Sequence, residues 1–218
     1  MRLAAICCLV ILAGCAAAPE PRDARPSGAI RDQVDAAIVR KDYAAALPGL
    51  QELARRGNQW GSYLLGNYYS CGKVVRFDCG RAQELFVVAT KPRDGEPVDQ
   101  DLVNGSRNEI AWINAACDQP GFVRDGALAL RLALEMKSGS DDPLGIDTVA
   151  AAYAETGDFP MAARIQRQAI RRLEAVPPSE ISQATREGFR RRLAGYESGR
   201  PARFDAAIAA QECNVLPD

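Results

Sequence analysis

Apolar residues recur at three- and four-residue intervals from about Ala29 almost to the end of the chain, and no stretch alternates convincingly with period two. That spacing predicts helices throughout and no sheet. The clearest stretch runs from Gly61 to Thr90. Its first helix places Leu64, Leu65, Tyr68 and Tyr69 on one side, with Gly66 where a neighbouring helix can approach closely; its second carries Ala82, Leu85, Phe86 and Ala89 on one stripe. Two such stripes bury each other, giving a helix pair. Gly72 to Asp78 connects them, and Asp78 is the expected N-cap of the second helix. Similar pairs are expected from Ile30 to Gly57, from Asn108 to Met136 and from Leu144 to Leu173, before a last long helix from Ser179 to about Gly199. Asp141-Asp142-Pro143 reads as the cap and turn that start the fourth pair.

Helix pairs of similar length suggest a repeat. Leu65-Gly66, Tyr69, Gly72, Val74-Val75, Asp78, Arg81-Ala82, Leu85-Phe86 and Ala89 stand in the order and spacing of the Sel-one-like repeat, a longer-looped relative of the tetratricopeptide repeat, and the stretch resembles that family. Leu144 to Leu173 resembles an ordinary tetratricopeptide unit through Ala150, Tyr153, Gly157, Phe159, Ala162 and Ala169. Two departures stand out there: Gln166 occupies a position where a large apolar residue is common, and the terminal proline comes late, at Pro177. The unit from Asn108 is the weakest match, because Cys117 to Asp125 stretches its connection. The resemblance implies an all-α fold, a right-handed superhelical stack of antiparallel helix pairs, with packing assigned to Leu65, Gly66 and Tyr69 and the last long helix capping the open end.

The N-terminus changes the compartment. Met1-Arg2 precedes an apolar run from Leu3 to Leu12, too short to span a bilayer and of the length a secretory signal uses. Leu12-Ala13-Gly14-Cys15 at its end resembles a bacterial lipobox. This implies a signal peptide over 1–14, acylation of Cys15 and a cell-envelope protein held by several acyl chains. With Ala16 after the cysteine, the periplasmic side of the outer membrane is expected in a host with two membranes. The Ala-, Pro- and charge-rich segment up to Gly28 reads as a tether over 15–28, reaching up to about 40 Å. The repeat domain is then expected over 29–200, with a tail over 201–218.

The tail bears on the cysteines. Beyond Cys15 and the two within the signal, Cys71, Cys79, Cys117 and Cys213 remain, an even number in an oxidising compartment. Four cysteines allow three pairings. Short spacing with Gly72 between favours Cys71 with Cys79, leaving Cys117 with Cys213 to tie down the tail. Histidine is absent from the sequence, which removes serine and cysteine triads, H-E-x-x-H metal sites and histidine proton shuttles. The four cysteines lack a C-x-x-C pair, so no zinc, and no cofactor, is expected. With 28 acidic residues against 27 basic ones, nucleic acid is not an expected partner.

In arrays of this kind the first helices line a concave face with residues not spent on packing. The resemblance places Trp60, Tyr63, Asn67 and Ser70 there from one unit, Asn108 and Trp112 from the next, and Asp147, Ala151 and Glu155 from the third. Amides beside aromatic rings suit an extended peptide or a glycan. Arg164, Arg167 and Arg171 recur at helical spacing and form a second candidate, a basic ridge, although arginine outnumbers lysine 23 to 4 throughout and a solvated helix face gives the same pattern. The expected function is therefore a lipid-anchored, non-enzymatic binding module for another envelope protein or wall component. The alternatives are a peptidoglycan-active hydrolase or transglycosylase, whose paired carboxylates need no histidine, and a structural subunit of an envelope assembly.

Overall fold

The computed structural model describes residues 25–137, 141–213 and 216, so the lipobox with Cys15 lies outside the described residues. Ten helices follow one another there: α1 (Ser27–Val39), α2 (Tyr43–Arg55), α3 (Gln59–Cys71), α4 (Cys79–Thr90), α5 (Gln100–Ala116), α6 (Gly126–Lys137), α7 (Pro143–Glu155), α8 (Phe159–Glu174), α9 (Gln183–Glu197) and α10 (Ala206–Glu212). They form an all-α stack of helix pairs, α1 with α2, α3 with α4, α5 with α6 and α7 with α8, each pair packing on the next and α9 lying against α8. None of the described helices is long and apolar enough to cross a membrane.

Capping side chains set the helix starts. Asp42, Asn58, Asp78, Asp142 and Asp158 each accept a hydrogen bond from a backbone N–H in the first turn of the following helix. Each cap satisfies a donor that the helix itself leaves open. The expected caps at Asp78 and Asp142 are thus present. Helix α5 begins two turns before Asn108, because Asp99 caps it there and Val103 and Ser106 extend its buried stripe. Helix α9 begins after Ser182, whose hydroxyl accepts from Thr185 N, and not at Ser179.

Two apolar clusters make the core. The larger runs from Phe77 through α4 to α9, and the smaller joins α1, α2 and α3 with Leu85. Gly66 is placed as its spacing suggests: a Cβ there would stand 2.7 Å from the Phe86 ring, so only glycine lets α4 come this close. The neighbouring tyrosines differ from expectation. Tyr68 is the deeply buried one, 1 % exposed and edge-on to Tyr43 with centroids 6.5 Å apart, whereas Tyr69 is half-buried between the two clusters.

The C-terminal segment corrects the sequence reading most. After α9 the chain turns at Gly199, whose φ of 70° lies in the left-handed region. Phe204 then pairs its backbone with Ala116 and Asp118 at 2.9 and 2.8 Å, the one bridge among the described residues. Helix α10 packs on both α9 and α3, and Leu216 is buried in the N-terminal cluster. The tail therefore crosses the side of the stack built from first helices. The disulfides follow this path: Cys71 bonds Cys213, and Cys79 bonds Cys117. Pairing Cys71 with Cys79 by proximity in sequence fails because the two stand at opposite ends of one connection, Cys71 ending α3 and Cys79 starting α4, where Cys79 faces the end of α5.

Candidate functional site

The first helices and the returning tail enclose a cavity of about 810 Å³. Tyr63, Asn67 and Ser70 reach it from successive turns of α3, Asn108 and Trp112 from α5, and Asp147 from α7. Six of the nine residues expected on the concave face thus meet at one place. Residues from α9 (Thr185, Phe189, Arg192) and from the tail (Phe204, Ile208, Glu212) complete the wall, so the site is a half-open cavity partly roofed by the protein's own C-terminal segment.

Three expected groove residues do not belong to it, and one of them, Ala151, is fully buried in the larger apolar cluster. Trp60 packs on the N-terminal cluster, and the Arg31 guanidinium lies 4.8 Å from its ring centroid. Glu155 ends α7 and accepts from Arg124 at 2.9 Å and from Arg203 at 2.7 Å, which fastens the α5–α6 connection and the tail to α7. The basic ridge also lies elsewhere. Arg164, Arg167 and Arg171 are exposed on α8, whose opposite face buries Ala162, Ile165, Ala169 and Leu173, and none lines the cavity. Arg167 bonds Glu197 of α9 at 2.6 Å, as an exposed helix-to-helix pair.

Behind the cavity lies a buried ionic network. Arg192, 8 % exposed, donates to Asp147 Oδ1 at 2.9 Å and to Glu212 Oε2 at 2.7 Å. Burial works against its charge, but the two carboxylates more than offset this and hold the guanidinium protonated above its ordinary range. The same group lies 5.1 Å from the ring centroids of both Trp112 and Phe189. Trp112 in turn stacks on Phe204, at 5.5 Å and 23° between planes. Gln166, the polar-for-apolar departure seen in the sequence, is fully buried and donates to Asp147 Oδ1 at 2.5 Å and to Phe189 O at 3.2 Å. The departure thus belongs to the network.

The α3–α5 side of the cavity is different, because its polar groups are incompletely used. Asn67 is 2 % exposed, and its amide nitrogen has no hydrogen-bond acceptor; the buried Asn108 Oδ1 has no donor. Tyr63 packs on Phe86 at 5.8 Å between centroids. Its hydroxyl is pushed up to about 12 by burial and by the Glu109 charge, an effect that the nearby Asn67 amide reduces without reaching hydrogen-bond geometry. Glu109, half-buried on the wall and not singled out from sequence, is raised to about 7 chiefly by burial; Asn108, which donates to it at 3.4 Å, acts against the rise, and Asp142 adds to it. Asp101, Glu135, Asp141 and Asp142 also stand on the wall, and Arg192 is the one cation lining it among the described residues. No group of three or more metal-ligating side chains occurs among the described residues.

No family model matches the protein, and neither a curated protein nor a solved structure shows significant similarity to it.

Proposed function

We propose that the protein is a lipid-anchored envelope component whose tetratricopeptide-like stack acts as a binding module, with the cavity between α3, α5, α7 and the C-terminal segment as its ligand site. One observation carries this reading: Tyr63, Asn67, Ser70, Asn108, Trp112 and Asp147, spread over three helices, converge on one concavity with buried hydrogen-bonding atoms left unpartnered. Native proteins rarely leave such atoms without a partner, and a bound ligand supplies one. The two disulfides accord with an oxidising compartment.

Tyr63 and Asn67 also pack the helix, so truncating them to alanine confounds recognition with folding. Tyr63→Phe combined with Asn108→Ala removes polar atoms from the cavity and spares the core. With a photoreactive group at Ser70, native membranes are expected to yield a crosslinked partner or wall fragment. The double variant should reduce that yield about fivefold, the effect of one lost hydrogen bond, with melting unchanged. An unchanged yield would remove the cavity from the reading. The anchor is tested separately: metabolic palmitate labelling is expected in the parent and lost in Cys15→Ala, and labelling that persists would exclude Cys15 as its site.

The hydrolase alternative has one observation in its favour. A half-buried Glu109 that titrates at about 7 beside Asp142 has the character of a general acid. Release of new reducing ends from purified wall by the parent, lost in Glu109→Gln, would put catalysis in place of binding.

A further inference from the structure

The cavity wall offers a charge and a hydrogen-bonding pattern that the protein does not itself consume. The Arg192 end is closed: both of its carboxylates are engaged, and its guanidinium covers the Trp112 ring. At the other end Glu109 has a single weak donor, Asn108 at 3.4 Å. Asn67, more than nine-tenths buried, presents an unpartnered donor, and Asn108 presents an unpartnered acceptor. Asp101, Glu135, Asp141 and Asp142 also line the cavity; of these Asp141 is paired with Arg172 at 2.7 Å, Glu135 with Arg131 at 3.6 Å, and Asp142 caps α7.

We infer that the cavity takes a peptide-like ligand carrying a positively charged amino group, with the ammonium beside Glu109 and an adjacent amide between Asn67 and Asn108. The inference rests on the reading of the cavity as a binding site and names its ligand class. An amide is the group that fits the asparagines, because its carbonyl accepts from Asn67 Nδ2 while its N–H donates to Asn108 Oδ1. An ammonium fits the rest, since a carboxylate out of bulk water forms a charge-assisted hydrogen bond stronger than one at the surface. A neutral glycan would satisfy the amides and leave the Glu109 carboxylate uncompensated. An anionic ligand would be repelled by it.

The charge state of Glu109 gives this inference a signature. Its carboxyl titrates at about 7, so the fraction ionised rises about tenfold between pH 6 and pH 8. A cation binds the ionised form. Affinity should therefore rise about tenfold over this interval, with a proton released on binding at the lower pH. The facing groups are Tyr63 on α3, Asp101 on α5, Glu135 on α6 and Asp141 and Asp142 at the start of α7. Tyr63, pushed up to about 12, stays neutral across the interval.

The test is calorimetric titration of the detergent-solubilised full-length protein with a blocked alanyl-lysine dipeptide, acetylated at one end and amidated at the other. Blocked alanyl-norleucine and alanyl-glutamate dipeptides and diacetylchitobiose serve as comparisons. The lysine dipeptide is expected to bind at least tenfold more tightly than each comparison at pH 8 and to lose about tenfold at pH 6. Glu109→Gln should reduce it to the norleucine level and abolish the pH dependence. This variant removes a carboxyl already burdened by burial, so melting at pH 8 should hold or rise. Equal binding of the norleucine dipeptide, tighter binding of the chitobiose, or an unaltered pH profile in Glu109→Gln would overturn the proposal. If the lysine dipeptide fails while Ser70 crosslinks persist, the ligand class falls and the binding reading stands; if both fail, both fall.

Discussion

Arg192→Ala is expected to destabilise the fold by about 3–5 kcal/mol, the cost of removing one partner from a buried ion pair. The guanidinium is the cation between two carboxylates, one of which, Asp147, is fixed in the buried face of α7. Asp147 is 4 % exposed and would keep only the Gln166 amide as a donor, while Glu212 would keep Arg191. The rings of Trp112 and Phe189 lose their cation as well. For a protein of this length such a loss lowers the melting temperature by roughly 6–20 °C. Adding Asp147→Asn should recover much of the loss, because the buried charge goes with it. Calorimetry on the single and double variants separates these effects. A melting temperature within about 2 °C of the parent, or a double variant no better than Arg192→Ala, would show that the network does not hold α7, α9 and the tail together.

How much of this could be read from the sequence depends on the range of the interaction. Helix pairs were legible because their causes are local: Asp78 and Asp142 cap helices within three residues of themselves, and Ala82, Leu85, Phe86 and Ala89 form a stripe visible within one helix. Gly66 was legible because a glycine on a buried face signals close approach, and Phe86 supplies it. The concave-face residues converged because a repeat carries equivalent positions of successive helices to one side. Trp60 escaped that logic: at the first turn of α3 it faces α1, where Arg31 covers it. Gln166 was visible as an anomaly, but its meaning needed Asp147 and Arg192, which are brought together only by the packing of α7, α8 and α9. Glu109 gave no signal at all, because a carboxylate among polar neighbours in sequence looks solvated until the packing of the helices takes it out of water. Cysteine parity foretold two disulfides and a tethered tail, whereas the pairing depended on where the tail lies.

That tail should come free in Cys213→Ser. Its disulfide to Cys71 closes a sequence separation of 142, against 38 for Cys79 with Cys117. In chain-entropy terms the longer loop stabilises by about 5 kcal/mol and the shorter by about 4 kcal/mol. The longer one also holds the roof of the site, since Leu216 sits in the N-terminal cluster beyond it and Glu212, just before it, reaches Arg192. Losing the bond is expected to release α10 before the stack melts, because seven residues with one deeply buried side chain cannot remain helical without their neighbours. Phe204 remains held by its backbone pairing with Ala116 and Asp118, so detachment should begin after it. Limited proteolysis of Cys213→Ser should remove the residues that follow Asp205 while α1 to α9 persist, and its melting temperature should fall by more than that of a Cys79→Ser, Cys117→Ser variant. A cavity so opened exposes Trp112 to water and weakens any ligand that the roof helps to enclose. Non-reducing peptide mapping of the parent provides the direct check on the connectivity: a Cys71–Cys79 peptide, or a Cys213→Ser protein as protease-resistant as the parent, would place the tail elsewhere and take the roof off this site.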